Sequence, residues 1–470
     1  MRQTQIIRLK IDPAKTELKP VPINTPSANL PIDRGAPSIL RLAGFLSMSG
    51  LLSTSAILVD ANMVGPIGDE TLAGLGLCAG LYGVFMALLF GLGSAAQILL
   101  TRAFGAGQKE LFSKRLLAIL AIGLALSVIL VLLFRFNINF LVDRLATTSG
   151  IGYAAKRYLA LMVYAPPLSF AAYLLTISFD VRRQAMRELR GYGIELPLNL
   201  ILNALLIYGW FGAPELGIRG AAIATLISQG ARLCYLVVLT LKDLNRRSAE
   251  FPASPPQSDA LSDEILPRSV VLPVTLNVAA LIVGAQAYQL LFAQMPYLSF
   301  AALALMAPWI SIANVVGRAI AMSATLSSAD LERGSETLAN AIRSILAALR
   351  ILAPRLTLLF IGVTLLVDLF SWHISDPVRI NFLTLVPFGA MLVLVRTLSV
   401  TIGAVLRAVD NPKWVFAVQV GLQWCFGVPL LLLMIQVFDL PLLAAYSILI
   451  AEEALRLGIM WQRLRRHTMA

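Results

Sequence analysis

Asp60 is the only acid in the first long apolar stretch of the chain. An ionised carboxylate surrounded by hydrocarbon is costly, so this group must face a polar cavity, where it can take up a proton or small cation and release it again. The alternative is an anchor at the helix end beside Asn62 and Gly65, a place that the helix dipole disfavours for an acid. Asn199 and Asn203 are four residues apart and share one helix face. Such amides either line a site or tie neighbouring helices together. Arg318 and Arg396 are isolated cations inside apolar stretches. Arg396 either attracts an anionic substrate group, reaches the interface with its guanidinium, or pairs with a distant acid. Glu452 and Glu453 precede Arg456 by four and three residues, the spacing of a local ion pair. Glu195 either sits at the membrane interface or lines the cavity, and Asp368 and His373 fall at the outer end of a span.

Other chemistry is poorly served. Cys78, Cys234 and Cys425 are scattered, and His373 and His467 are the only histidines, which gives no metal or disulfide framework. A Gly-rich Lys-Ser/Thr phosphate loop is absent. The reading is of a non-enzyme with no catalytic residue, no metal and no cofactor.

The elements that hold these residues follow from composition. Of 470 residues, 58% are hydrophobic and 14% charged, with a mean hydropathy of +0.79. Water cannot cover that much apolar surface, so the solvent must be a bilayer. A crossing helix needs roughly 20 apolar residues. About twelve windows qualify, from 40–62 to 440–462, and that at 341–367 is interrupted by Arg343, Arg350 and Arg355. The runs are continuous rather than alternating, which selects helices over a barrel. The fold class is thus an all-α polytopic membrane protein of about 12 helices.

An echo between the two halves of the chain divides the helices into two pseudo-symmetric six-helix lobes. Val59–Gly68, Leu72–Leu75, Gly91–Gln97 and Phe104–Gly107 recur as Gln289–Gln294, Phe300–Leu303, Val316–Ala319 and Ser328–Asp330. Tyr288 falls where the first copy has Asp60, which assigns the ion chemistry to the first half. The expected organisation is a cytoplasmic tail at 1–37, an N-lobe at 38–242, a Pro/Ser-bearing cytoplasmic linker at 243–268, a C-lobe at 269–462 and a tail at 463–470. The net charge of +12 would suit a nucleic-acid ligand in a soluble protein. Here most Lys and Arg lie before the first span and after the even-numbered ones. That bias places both termini in the cytoplasm of a multi-pass protein of the bacterial inner membrane.

Three stretches carry a family resemblance: Asn199–Asn203, Tyr208–Gly217 with its Phe-Gly-Ala-Pro-Glu-Leu-Gly loop, and Gly220–Thr225. Together with the element around Asp60, Gly105–Gly107 and Gly403–Arg407, they resemble the multidrug and toxic compound extrusion (MATE) family, in particular its NorM-like branch. The resemblance implies a twelve-helix, two-lobed antiporter that exports organic compounds (drugs, toxins or self-made metabolites) in exchange for H⁺ or Na⁺ by alternating access. It also implies that Asn199, Asn203 and Thr225 surround Asp60 in the ion-coupling site. Two departures stand out. The seventh-helix acid of the NorM-like branch is replaced by an apolar residue near Leu281, and its tenth-helix acid by Arg396. A second-lobe ion site is therefore expected to be absent, which tilts coupling toward H⁺. Tyr288, Met306, Trp309, Met391 and Arg396 are the candidates for the substrate cavity, with Tyr164 beside them; each suits either a drug cavity or packing. The partners expected are a small organic substrate and the bilayer, with no nucleic acid, and the protein is expected to be a monomer. The alternatives are a lipid-linked saccharide flippase, which would carry a strongly basic cavity, and a dedicated exporter of one natural product or siderophore.

Overall fold

The computed structural model describes residues 47, 50–52, 54–55, 58–182, 184–245, 264–328, 336–370, 375–409 and 412–469. The N-terminal tail, most of the linker and His373 lie outside them. Every long element is a helix, because a bilayer leaves backbone N–H and C=O groups no partner but each other. The described residues of 47–64 form α1, which tightens into a turn at Gly65–Ile67. It is followed by α2 (Asp69–Gly105) and α3 (Lys109–Leu145). Helix α4 has two arms, Ser149–Met162 and Ala165–Val181, bent by 56°. Pro166 and Pro167 follow the bend and lack the N–H groups that would carry the helix through it. Helices α5 (Ala185–Tyr208) and α6 (Ile218–Asn245) complete the first lobe.

The second lobe holds α7 (Arg268–Phe292), α8 (Tyr297–Ser328), α9 (Glu336–Phe370), α10 (Asp376–Val409), α11 (Pro412–Gln436, with a π-helical turn at Gln423–Gly427) and α12 (Leu442–Met469). The two lobes keep nearly the same register. Helices α2 to α6 start at Asp69, Lys109, Ser149, Ala185 and Ile218, and α8 to α12 at Tyr297, Glu336, Asp376, Pro412 and Leu442. The offset between the two series is almost constant, so the sequence echo is an echo of whole helices. Among the described residues, nine helices are long and apolar enough to cross a membrane, and the bent α4 makes ten. With α1 and with α12, whose apolar run is broken by Glu452, Glu453 and Arg456, the described residues hold twelve long helical elements.

Where the chain meets lipid its surface is apolar. Helix α3 exposes Leu117, Ile129, Leu133, Phe136 and Phe140, with Phe136 82% accessible. A patch of that kind is stable only against hydrocarbon. Arg343, Arg350 and Arg355, which interrupt the ninth window, are all exposed and leave α9 unbroken. Helix α12 continues through the expected tail at 463–470 as far as Met469. Helix α2 packs along α7 and α8, so that one buried apolar core draws on both lobes. Gln289 Nε2 of α7 donates to the Gly76 carbonyl of α2 at 2.9 Å across that seam.

Candidate ion-coupling site

The site is made where α5 and α6 close on α1. Tyr208 ends α5, and its hydroxyl donates to the Met63 carbonyl of α1 at 2.6 Å. Gly209 then turns the chain with φ 70°, a left-handed conformation that costs glycine little. The Leu216 amide reaches back to the Leu206 carbonyl at 2.9 Å, so that α6 starts hard against α5. At Gly220 the approach is closer than any side chain allows: a Cβ there would overlap the Leu206 carbonyl and sit 2.9 Å from the Ile207 nitrogen.

That contact brings three polar side chains onto Asp60, which is 7% accessible. Asn203 Nδ2 donates to Asp60 Oδ1 at 2.7 Å, and Thr225 Oγ1 to Oδ2 at 2.9 Å. Asn203 also donates to Asn199 Oδ1 at 3.1 Å, and Asn199 Nδ2 reaches Thr225 Oγ1 at 3.5 Å. Both carboxylate oxygens accept, which is the arrangement of an ionised acid. The Thr225 hydroxyl has a second acceptor, the Ala221 carbonyl at 2.9 Å. It can turn to that carbonyl and accept from Asp60 once the acid carries a proton, so the site holds both states. Asn203 Oδ1 is buried without a hydrogen-bond partner among the described residues, a further oxygen beside the acid. Tyr158 of α4 also borders Asp60 and Thr225. Tyr158 is an aromatic residue in an apolar run with no distinguishing spacing, so no pattern marked it beforehand.

In the second lobe, the charged candidates Arg396, Glu452, Glu453 and Arg456 pair with one another. Arg396 is not isolated: its Nε lies 3.4 Å from Glu453 Oε1, with the side chain 37% accessible. Arg456 Nη1 donates to Glu453 at 2.9 Å and its other arm pairs with Glu452, so the local ion pair forms as its spacing indicates. Tyr288 bonds Glu452 through its hydroxyl and is buried. The buried acid pair of this lobe thus stands on α12, held by arginines, and not at the seventh- and tenth-helix positions of the NorM-like pattern. Met306 is wholly buried in packed core near Gly389. Trp309 is partly buried, with an indole N–H that has no partner among the described residues, whereas Met391 and Tyr164 are exposed. Arg318 is exposed, and no carboxylate is paired with it among the described residues. Asp368 is paired with Arg379 at 2.6 and 2.8 Å. Glu195 is 5% accessible and pairs with Arg232 at 3.1 Å.

Comparison with known proteins gives the same outline. Residues 46–205 match the MatE family model. A probable multidrug resistance protein NorM of Streptococcus pneumoniae serotype 4 is 29% identical over 191 residues, which cover 40% of this chain and 42% of the relative. One from Bradyrhizobium diazoefficiens is 31% identical over 206 residues, covering 42% and 43%. The matched stretch thus spans less than half the length of these relatives. Solved structures cover more: a multidrug resistance MATE family transporter in its inward-facing conformation superposes with a TM-score of 0.72 over 92% of this chain and 98% of its own, at 17% identity. An outward-facing one gives 0.64 over 92% and 96%, at 18% identity. The match to the MatE model thus falls on the lobe that holds Asp60, and the fold of solved MATE transporters is shared along nearly the whole chain.

Proposed function

We propose that this protein is a secondary antiporter that exports organic compounds from the cytoplasm in exchange for protons by alternating access. The carrying observation is Asp60, a buried acid that accepts from both Asn203 and Thr225 within one lobe. A site with one carboxylate, two amides and a rotatable hydroxyl suits a proton. A bound Na⁺ would compete with the two hydrogen-bond donors already seated on the carboxylate oxygens. The two repeats supply the pair of bodies that rock about the α2–α7 and α2–α8 seam. The basic ends of the spans set the orientation, with both termini in the cytoplasm of a bacterial plasma membrane. Export of drugs, as the names of the relatives suggest, is the first substrate class to examine.

The test is transport in proteoliposomes under an imposed pH or Na⁺ gradient. The probes are ethidium and tetraphenylphosphonium as lipophilic cations, and carboxyfluorescein and other fluorescent carboxylates as acids. Gradient-driven transport should follow pH rather than Na⁺ and be lost in Asp60→Asn, which keeps the size of the side chain. Full gradient-driven transport by Asp60→Asn would remove this residue from the mechanism.

A further inference from the structure

Helix α5 carries a polar stripe that leads away from Asp60. Asn203, Asn199, Glu195, Tyr192 and Glu188 follow one another at intervals of four, four, three and four residues, which is one helix face. All five are buried. At 1.5 Å per residue the stripe spans about 22 Å, more than half of a ~30 Å hydrocarbon core. Helix α6 presents Thr225, Ser228 and Arg232 at intervals of three and four, also buried. The stripe ends at the basic side of the molecule, where α4 stops and α5 begins.

Its charged members are arranged for transfer rather than for strength. Glu195 Oε2 lies 3.1 Å from Arg232 Nε, yet neither atom makes an aligned hydrogen bond. The Arg232 guanidinium is instead stacked over the Tyr192 ring, 4.3 Å from its centre. Glu188 lies beside the carboxyl of Asp180, at the exposed end of α4. Two adjacent carboxyls disfavour each other's charge, so such a pair can take up a proton. Burying an ion pair costs about as much as its attraction returns, so packing alone gives no reason for these groups.

We infer that Glu195 and the Glu188–Asp180 pair form the route by which the coupling proton leaves Asp60 for the cytoplasm, a reading that rests on Asp60 carrying that proton. Glu195 lies within electrostatic reach of Asp60, one helical turn beyond Asn199. In the transfer the Asp60 O–H bond breaks and Asp60 returns to the carboxylate. The proton crosses one turn lined by Asn199, Thr225 and Ser228, carried by water, and forms the O–H bond of Glu195. Arg232 is the charged partner of Glu195 and also faces Glu188, and Tyr192 lies beside both acids. With its partner neutralised, the guanidinium swings its charge toward Glu188. Glu195 then passes the proton to the Glu188–Asp180 pair, which releases one proton to water at Asp180. One proton moves through and no group is oxidised or reduced.

The experiment compares two modes of the reconstituted full-length protein, using whichever probe of the panel wild type carries. Substrate counter-flow at equal pH needs no proton release, whereas gradient-driven transport does. Glu195→Gln should lower the ratio of gradient-driven to counter-flow rate at least ~10-fold, in line with loss of a positioned proton-transfer group, and shift its dependence on release-side pH. Glu195→Asp should recover much of the ratio. The double variant Glu195→Gln/Arg232→Gln removes both charges of the ion pair together and should remain slow in the gradient-driven mode. A wild-type ratio and release-side pH profile in Glu195→Gln would overturn the inference. Recovery in the double variant, or an equal fall of both modes in the single and double variants, would do so as well, because each marks the pair as structural. Gradient-driven transport that survives Asp60→Asn would instead overturn the coupling role of Asp60, whatever Glu195 does.

Discussion

Gly220→Ala perturbs the site without touching any group in it. The added Cβ would lie 2.5 Å from the Leu206 carbonyl carbon and 2.9 Å from the Ile207 nitrogen, and both neighbours are backbone. Real Cβ contacts essentially never fall below 3.0 Å, so α6 must move away from α5 until both are relieved. Overpacking of this kind costs about 1–3 kcal/mol. Thr225 follows Gly220 by five residues and Asn203 precedes Leu206 by three, so the shift is felt where both side chains meet Asp60. Their bonds of 2.7 and 2.9 Å cannot both survive the separation. A hydrogen bond to a charged group is worth roughly 1.5–3 kcal/mol, and losing one corresponds to a ~10- to 150-fold change in an equilibrium. The expected result is a lower Tm in detergent and gradient-driven transport reduced by at least ~10-fold. Gly230→Ala is the control. It also lies within α6, and its Cβ would meet only Leu168 Cδ2 at 3.8 Å. It should therefore hold or raise Tm through helix propensity. Wild-type transport in Gly220→Ala would refute the claim that close α5–α6 packing sets the geometry of the acid.

Three further outcomes are expected. Arg396→Gln should weaken export of fluorescent carboxylates relative to lipophilic cations, because a fixed guanidinium beside the α10–α12 contact favours anions; an unchanged ratio at normal protein level would make Arg396 only the partner of Glu453. A cysteine at Ser258 should react with an impermeant thiol reagent only from the cytoplasmic face, and reaction in intact cells would invert the topology. The Arg379 guanidinium holds the Asp368 carboxyl below the usual carboxylate range, so the pair stabilises above that range and loses its effect as pH falls through the lowered value. Arg379→Gln should therefore lower Tm slightly at neutral pH and flatten its acid dependence, and an unaltered pH–Tm curve would show the pair to be inert.

Composition and spacing alone were enough to set the class of molecule, because the bilayer is a severe solvent: it demands long apolar runs and permits only helices to fill them. The twelve spans and the repeat were legible for that reason, and so was the singularity of Asp60 as the lone acid of its run. Periodicity also put Asn199 and Asn203 on one face of α5. Periodicity names a face, however, and not what the face meets. That Asn203 reaches Asp60 across 143 residues of chain, and Thr225 across 165, is a product of the α1–α5–α6 closure at Gly220. Resemblance could suggest the set, but only packing put two donors on one carboxylate. The charged residues inside spans show the same division. Glu452, Glu453 and Arg456 declared their mutual pairing through spacing along one helix. Arg396 gave no sign that Glu453 of α12 would neutralise it, nor Glu195 that Arg232 would. One residue more or less along a helix turns a side chain by about 100°, and a neighbour on another helix is set by the crossing of the two, which no local pattern encodes.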